Sequence, residues 1–468
     1  MRIVIKSIFN IVSPHPGRLM HCRAIFGRTS LLLITSLLIF SCGSRSQTKQ
    51  NSNPEIIEDI KLADPIPLSV SESTRIRNIC EHWYDSALLT KGFNGGILVA
   101  KNGNIVFERY HGTGHLPGKD TITENTPLHV ASTSKTFTAM AVLQMWQEGQ
   151  LQLDDEFSKY FPAFNYPGVT IRCLLSHRSG LPNYTYFMEK LGWDKTKIAS
   201  NEDVLDLLIK RKAEFDNIGA PCVHFSYCNT NYALLALLIE KISGKKYADY
   251  MQQHFFGPLQ MKNTFVFSMA NIDRVDPSYD WKGRPIPFGF LDAVYGDKNI
   301  YTTVRDLLTW DRALSSGKIF TQETLNEAFA PYSNEKPGVR NYGLGWRMNI
   351  YPTGKKVIYH NGWWHGSNSC FIRVIDDSAT IIAIGNKFTR AVYHAKALSN
   401  IFGDYYTIEE DETENNRSAD STLLPANDVL PVKKTRPVST KLKLTHTRQK
   451  KITPATSRKK PGRSLRKK

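Results

Sequence analysis

The clearest structural pattern in this chain is the segment Ala131-Ser-Thr-Ser-Lys-Thr-Phe-Thr-Ala-Met-Ala-Val-Leu-Gln-Met-Trp-Gln-Glu-Gly149. Its apolar side chains recur every three to four residues, which predicts an amphipathic helix over Thr136–Glu148 that ends at Gly149. Ser132 and Lys135 are three residues apart and therefore lie on one side of its first turn. A serine hydroxyl becomes a good nucleophile when a base takes its proton, and a neighbouring amine can help. A serine at a helix start is more often only an N-cap, so the pair needs further motifs to indicate catalysis.

Two further motifs follow at long spacings. About 95 residues later comes Phe225-Ser-Tyr227-Cys-Asn229, and about 130 residues after that comes Tyr359-His360-Asn-Gly362. The order Ser-x-x-Lys, Tyr-x-Asn, His-x-Gly resembles the serine β-lactamase and penicillin-recognising enzyme superfamily, in particular its branch of class C β-lactamases, D-alanyl-D-alanine carboxypeptidases and esterases. The resemblance extends over about 330 residues, and its other family-like stretches are Thr170–Pro182, Phe256–Leu259, Tyr301–Asp306 and Tyr342–Trp346.

Strand patterns come first along the chain, helical patterns follow, and strand patterns return, which predicts an α+β fold. Asn102-Gly103 is typical of a tight turn and predicts a hairpin over Gly95–Tyr110. We expect sheet parts at about 76–131 and 326–405 and a mainly helical part at about 132–325. The resemblance implies the same arrangement, a β-lactamase/transpeptidase-like α/β sandwich in which an antiparallel sheet of five or more strands is flanked by N- and C-terminal helices. The main predicted helices are Ile76–Tyr84, Glu202–Lys210, Asn231–Ile242, Tyr247–Phe255, Val304–Leu314 and Ala391–Phe402.

The resemblance implies a role for each motif residue. Ser132 would be the acylated nucleophile, and Lys135 would share a proton with Tyr227, the general base. An isolated tyrosine has a pKa near 10, so it acts as a base only if nearby cations favour the phenolate. Asn229 would hydrogen-bond both Lys135 and the substrate amide. The backbone N–H groups of Ser132 and Trp363 would form the oxyanion hole.

The third motif departs from the commoner pattern of the family. Many relatives carry lysine where this chain has His360, and a histidine that is mostly neutral at pH 7 binds a substrate carboxylate less firmly. Gly362 is expected in the substrate site, while Asn361 replaces the commoner threonine. The segment Tyr295–Tyr301 lacks the Gly-Gly that relatives often carry there. Two other histidines are expected to be structural: His177 and His365.

The formal charge of +17 does not describe the body of the protein. Residues 1–41 carry five Lys/Arg and no acids, and residues 421–468 carry fifteen Lys/Arg and one acid, so residues 42–420 have a net charge of −2. Residues 406–468 contain few large apolar side chains and are expected to be a disordered basic tail. It could contact anionic envelope polymers, but we expect no nucleic-acid partner.

The N-terminal residues predict export. The apolar run Leu31–Phe40 is about half the length needed to span a bilayer, which favours a signal peptide over residues 1–41. A small residue followed by Cys42 resembles a bacterial lipobox, so Cys42 is predicted to be lipidated and to anchor a polar linker, residues 42–75, in the membrane. We therefore expect a lipoprotein of the cell envelope, on the outer membrane or facing the periplasm. Met20 is an alternative start, because the stretch before the apolar run is unusually long.

Five cysteines remain after the signal segment, an odd number with no CxxC. This speaks against a full disulfide framework and against a zinc site. Cys222 and Cys228 are close enough in sequence to pair, but Cys228 is expected to stay a small buried thiol.

The expected function is that of an exported serine hydrolase that acts through a Ser132 acyl-enzyme, with a D-amino-acid peptide as the favoured substrate. An esterase or a β-lactamase of the same fold, with a small ester or β-lactam substrate, remains an alternative, as does a catalytically silent penicillin-binding or sensor module. No cofactor is implied, since the chain has no nucleotide-binding or metalloprotease motif and no Gly-x-Ser-x-Gly elbow. Sequence alone leaves the substrate open, because loop shape within a shared fold decides it.

Overall fold

The computed structural model describes residues 58–115, 120–216, 218–335 and 337–405. The predicted signal peptide, the lipidation site Cys42 and the basic tail lie outside the described residues, so they stay predictions. No helix in the described part of the chain is long and apolar enough to cross a membrane.

A seven-stranded antiparallel sheet organises the molecule. Its spatial order is β2-β1-β12-β11-β10-β9-β8, so β1 and β12, from the two ends of the described chain, pair within it. A three-stranded sheet, β3-β7-β4, and a two-stranded sheet, β5-β6, complete the strands. The strands are β1 Gly95–Lys101, β2 Asn104–His111, β3 Leu128–His129, β4 Phe265–Val266, β5 Ser278–Tyr279, β6 Pro285–Ile286, β7 Ile300–Thr302, β8 Arg340–Tyr342, β9 Arg347–Ile350, β10 Lys356–Trp364, β11 Ser367–Val374 and β12 Ala379–Gly385.

The α-helices largely follow the predicted apolar periodicity. They are α1 Val70–Trp83, α2 Ser134–Gln147, α3 Ile171–Leu175, α4 Tyr184–Lys190, α5 Asn201–Lys210, α6 Asn229–Ser243, α7 Tyr247–Met251, α8 Val304–Leu314 and α9 Gln322–Ala328. Wider π-type turns extend α1 and α7 over Tyr84–Leu88 and Gln252–Phe256, and the 3₁₀ segments are Leu89–Lys91, Ala131–Thr133, Phe157–Lys159, Lys212–Glu214, Met269–Arg274, Ile375–Asp377 and Arg390–Ile401.

Successive residues of the central strands enter different cores, because side chains alternate between the two faces of a sheet. Leu98 packs with the helices between β2 and β8, whereas Ile97 and Val99 pack with α1 and the C-terminal helical segment. Both faces of the sheet are therefore covered, which explains why β11 and β12 are buried along their whole length. The predicted α+β fold is confirmed, and the structure adds that α1 and the C-terminal helical segment pack in the same core.

Some local predictions differ from the structure. The first helix begins at Val70 rather than near Ile76, because the side chain of Ser69 caps it by accepting from the backbone N–H of Glu72. The last helix, Arg390–Ile401, is wound as a 3₁₀ helix. Its apolar residues recur every three positions, which in a 3₁₀ helix lines them up on the face toward the sheet.

The cysteine prediction is correct for Cys228 and incomplete for Cys222. Cys228 is a buried free thiol, and burial raises its pKa to about 11. Cys222 forms a disulfide with Cys173, 49 residues earlier. The odd cysteine count correctly argued against a full framework, but it could not reveal this single bridge.

Candidate active site

Ser132 lies in a 3₁₀ turn that connects β3 to α2. The preceding residue, Ala131, has a φ of +46°, a conformation that L-residues adopt rarely and that marks a constrained turn. Every residue from Leu128 to Leu143 except Ser132 is buried. The turn therefore exposes one hydroxyl at the N-terminal end of a buried helix.

The second motif residue, Lys135, lies directly below this hydroxyl. Its side chain is fully buried, and its Nζ donates to Ser132 Oγ at 3.0 Å and to the main-chain carbonyl of Asp297 at 2.8 Å. Among the described residues no carboxylate forms an ion pair with Lys135. The structure thus brings the predicted nucleophile and amine together and adds Asp297, which sequence reasoning did not assign.

Tyr227 lies beside the same amine. Lys135 Nζ is 5.0 Å from the centroid of the Tyr227 ring. The neighbouring backbone is held by His177, whose carbonyl accepts from Ser226 N at 2.8 Å and whose Nδ1 accepts from Cys228 N at 3.1 Å. The His177 ring also lies 4.3 Å from the Tyr227 ring, centroid to centroid. These contacts agree with the predicted structural role of His177, and the structure adds that it supports the Tyr-x-Asn loop.

The electrostatic state of His177 fits that role. Burial, and then the charge of Lys135, hold the pKa of His177 well below its usual range, so the ring is neutral. Its Nε2 is buried without a hydrogen-bond partner in the described part of the chain. A neutral ring can pack against Tyr227 without adding a charge to the site.

Asn229 is the first residue of α6, two residues after Tyr227. Its Oδ1 is buried and has no hydrogen-bond partner within the described ranges. The predicted bond between Lys135 and this oxygen is therefore not formed, because the Lys135 amine is turned to Ser132 and Asp297 instead. Its contact with a substrate amide stays a prediction.

Gly362 brings the third motif against the Ser132 turn. A Cβ added at Gly362 would lie 2.0 Å from the carbonyl oxygen of Val130 and 2.3 Å from Ser369 Oγ, so only glycine allows β10 to run this close. Ser369 Oγ also donates to the Val130 carbonyl at 2.7 Å. Trp363 follows Gly362 on the strand, and its backbone N–H as an oxyanion donor stays a prediction.

The placement of His360 does not fit direct contact with a substrate carboxylate. The side chain is fully buried. Its Nδ1 donates to the Asn361 carbonyl at 2.7 Å, which leaves Nε2 to accept from the Tyr342 hydroxyl at 3.2 Å. Burial, followed by the charges of Arg347 and Lys135, holds the pKa of His360 well below its usual range. A neutral, engaged imidazole cannot serve as the cation at this position.

Arg347, on β9, supplies a cation that sequence reasoning missed. Its Cζ lies 5.1 Å from the centroid of the Tyr227 ring, and the residue is partly exposed between buried neighbours. In the β9–β10 ladder it pairs with Tyr359, next to His360. The available signal was its position directly after the family-like stretch Tyr342–Trp346.

His365, expected to be structural, pairs with a buried carboxylate. Its Nε2 lies 3.0 Å from both oxygens of Asp292, and Trp364 Nε1 donates to Asp292 Oδ1 at 2.6 Å. These contacts fix the turn after β10. Among the described residues, no group of three or more His, Cys, Asp or Glu side chains could hold a metal ion.

Comparisons with known proteins concern the family and the fold. The family model described as Beta-lactamase matches residues 87–403. Penicillin-binding protein 4* of Bacillus subtilis is 31% identical over 353 residues, which cover 71% of this chain and 77% of that protein. A D-aminopeptidase of Brucella anthropi is 26% identical over 302 residues, which cover 63% of this chain but only 56% of that enzyme.

Two solved structures share the fold. The octameric penicillin-binding protein homologue from Pyrococcus abyssi superposes with a TM-score of 0.61 and 22% identity, covering 70% of this chain and 77% of the other. The D-amino acid amidase from Ochrobactrum anthropi gives 0.58 and 21%, covering 74% and 99%. At these identities the likeness concerns the fold alone, and it agrees with the antiparallel sheet described above.

Proposed function

Because the chain belongs to the β-lactamase family within the serine β-lactamase and penicillin-recognising superfamily, we propose that it is a serine hydrolase that cleaves an amide or ester through an acyl-enzyme on Ser132. One observation carries the proposal: the single accessible residue of a buried segment is a serine whose hydroxyl lies 3.0 Å from a fully buried amine, that of Lys135. A buried amine without an ion pair is costly to keep, and groups of this kind are typical of catalytic sites.

In the proposed reaction Ser132 Oγ attacks the substrate carbonyl, and its one proton passes to Lys135, which shares it with Tyr227. The C–O bond to Ser132 forms as the carbonyl oxygen becomes an oxyanion, which the backbone N–H groups of Ser132 and Trp363 stabilise. Collapse of this intermediate breaks the bond to the leaving amine or alcohol, which takes the proton. Water then attacks the acyl-enzyme by the same route and releases the acid.

We propose a D-amino-acid peptide with a free carboxylate as the substrate. His360 is neutral and buried, so the charge that attracts a carboxylate would come from Arg347, whose guanidinium lies beside the Tyr227 ring. Arginine binds carboxylates well because its planar N–H groups match both oxygens. The D-aminopeptidase among the similar proteins supports a substrate with D-configured residues.

A pair of covalent probes tests the proposal. The purified full chain and its Ser132→Ala variant are incubated with a fluorescent penicillin and, separately, with a fluorophosphonate, and the adduct is located by peptide mass. We expect a persistent penicillin adduct on Ser132 in the parent protein and none in the variant. Rapid penicillin turnover would favour a β-lactamase, and a fluorophosphonate adduct alone would favour an esterase. A folded protein without any adduct at Ser132 would refute the hydrolase and leave a silent binding module.

We further propose that the protein is exported and held in the cell envelope by lipid at Cys42. Support comes from the composition, in which a short apolar run precedes Ser41-Cys42 and the charge is concentrated at both ends. Metabolic labelling with a fatty acid should mark the parent chain and not Cys42→Ser. Deleting residues 421–468 tests the tail, and unchanged retention on anionic liposomes at low salt would contradict a role in envelope binding.

A further inference from the structure

The segment 296–300 is fastened to the first turns of α2 by a series of hydrogen bonds. The Gly296 carbonyl accepts from Thr138 Oγ1 at 2.6 Å, and the Asp297 carbonyl accepts from Lys135 Nζ at 2.8 Å. Ile300 N then donates to Ser134 Oγ at 2.9 Å. This is the segment in which the sequence departs from the Gly-Gly of many relatives, and it forms the platform on which Lys135 rests.

Two charged side chains of this platform are buried side by side. Asp297 and Lys298 are 0% and 2% exposed, and Lys298 Nζ lies 3.5 Å from Asp297 Oδ1. The Tyr184 hydroxyl donates to Asp297 Oδ2 at 2.8 Å and accepts from Lys298 Nζ. Lys298 Nζ also donates to the Val294 carbonyl at 3.0 Å and lies 4.8 Å from the centroid of the Trp364 ring. The cluster is thus a hydrogen-bonded ion pair directly behind the carbonyl that holds Lys135.

We propose that Lys298 is a positioning residue for Lys135: it neutralises Asp297 inside the protein, so that the Asp297 carbonyl can hold the Lys135 amine without a net negative charge beside it. The proposal rests on the proposed function, since it concerns the proton that Lys135 exchanges with Ser132. An unpaired carboxylate at Asp297 would favour the protonated amine, which cannot take the serine proton. An unpaired ammonium at Lys298 would have the opposite effect.

The other charged and titratable groups around Lys298 do not replace either member of the pair. Asp292 is already bonded to Trp364 and His365, and His129, whose pKa burial lowers to about 4, donates to the Lys298 carbonyl as a neutral ring. Burial raises the pKa of Tyr184 well above its usual range, so its hydroxyl stays protonated as a donor. The balance of charge behind Lys135 therefore depends on Asp297 and Lys298.

The test compares acylation of the full chain by fluorescent penicillin between pH 5.5 and pH 9.5. Lys298→Met should move the acid limb of the pH–rate profile up by about one pH unit and slow acylation at pH 7 by about tenfold. Asp297→Asn should move the limb down by a similar amount. The double variant D297N/K298M should return the limb to its original position, because both charges are gone.

Arg373→Met is the matched control. It breaks another buried ion pair, Arg373–Asp311, four residues along β11 from Ser369, and should lower the melting temperature without moving the acid limb. The proposal is overturned if K298M and D297N lose activity equally at every pH, as R373M would through instability. If K298M does not fold, the positions of the acid limb in D297N and in the double variant test the proposal in its place. Failure of the parent chain to acylate at Ser132 would instead refute the proposed function.

Discussion

The close approach of β10 to the Ser132 turn makes Gly362→Ala a sharp perturbation of the site. The added Cβ would lie 2.0 Å from the Val130 carbonyl oxygen, whereas real Cβ contacts stay beyond 3.0 Å. Either β10 or the Ser132 turn must therefore move by about 1 Å. The two atoms that the new Cβ would meet, the Val130 carbonyl oxygen and Ser369 Oγ, hydrogen-bond to each other and so cannot easily move apart. A displacement of about 1 Å in a catalytic arrangement costs about 100-fold in rate. Overpacking of this kind lowers the free energy of unfolding by about 1–3 kcal/mol.

The assay is the second-order rate constant for acylation of Ser132 by fluorescent penicillin, measured beside a denaturant titration of the same protein. Gly289→Ala is the control, because a Cβ there would meet nothing closer than Asp292 Oδ2 at 3.8 Å. We expect Gly362→Ala to remain folded and to acylate about 100-fold more slowly, and Gly289→Ala to match the parent. Acylation of Gly362→Ala at the parent rate would refute the reasoning that this glycine sets the geometry of Ser132.

Four further predictions concern separate features. The double variant Cys173→Ser/Cys222→Ser lacks the disulfide that closes a loop in the unfolded chain. The 49-residue separation implies that its free energy of unfolding, measured by denaturant titration, is lower by about 4 kcal/mol, and a reductant should destabilise the parent but not this variant. His360 stays neutral in the folded protein but takes up a proton below about pH 6.5 in the unfolded chain, so its contribution to the free energy of unfolding is complete above pH 6.5 and falls by about 2 kcal/mol by pH 5. His360→Gln should remove this part of the pH dependence of unfolding, and an unchanged dependence on pH would contradict the prediction. Arg347→Leu should lower kcat/KM at least about tenfold for peptides that end in a carboxylate and little for uncharged esters; an equal loss for both would argue against carboxylate binding. Lys135→Met should slow acylation about 1000-fold and raise the melting temperature, because it removes a buried amine that costs stability. A lowered melting temperature would show instead that the amine stabilises the fold.

Patterns that depend on neighbours in sequence were predicted well. The α2 helix follows from its apolar spacing, and the Ser132–Lys135 contact follows from the three-residue separation on one helical turn. The β1–β2 hairpin follows from Asn102-Gly103, and both residues have the positive φ that such a turn requires. In each case the decisive interaction spans four residues or fewer, so the local pattern determines it.

Features that depend on distant parts of the chain were missed. The partner of Cys222 is Cys173 rather than Cys228, because α3 and the Tyr-x-Asn loop meet only in the folded protein. The motif predicted that His360 lies in the substrate site, but the burial of this side chain depends on Tyr342 and on the adjoining strand. The Asp297 carbonyl is invisible in sequence, since any residue type can present a main-chain oxygen. Motif residues could thus be named from the sequence, but not their bonding partners.

The distribution of charge at the site bears on the choice between the proposed hydrolase and a silent binding module. Lys135 is fully buried and rests on two neutral oxygens, an arrangement that costs stability and that a binding surface has no need of. Lys298 is buried as well, but Asp297 pairs with it, so of these two amines only Lys135 lacks a carboxylate partner among the described residues. Arg347 places its guanidinium 5.1 Å from the centroid of the same Tyr227 ring that Lys135 Nζ approaches to 5.0 Å. A silent module could keep the fold without either feature, so their joint presence favours the proposed hydrolase over that alternative.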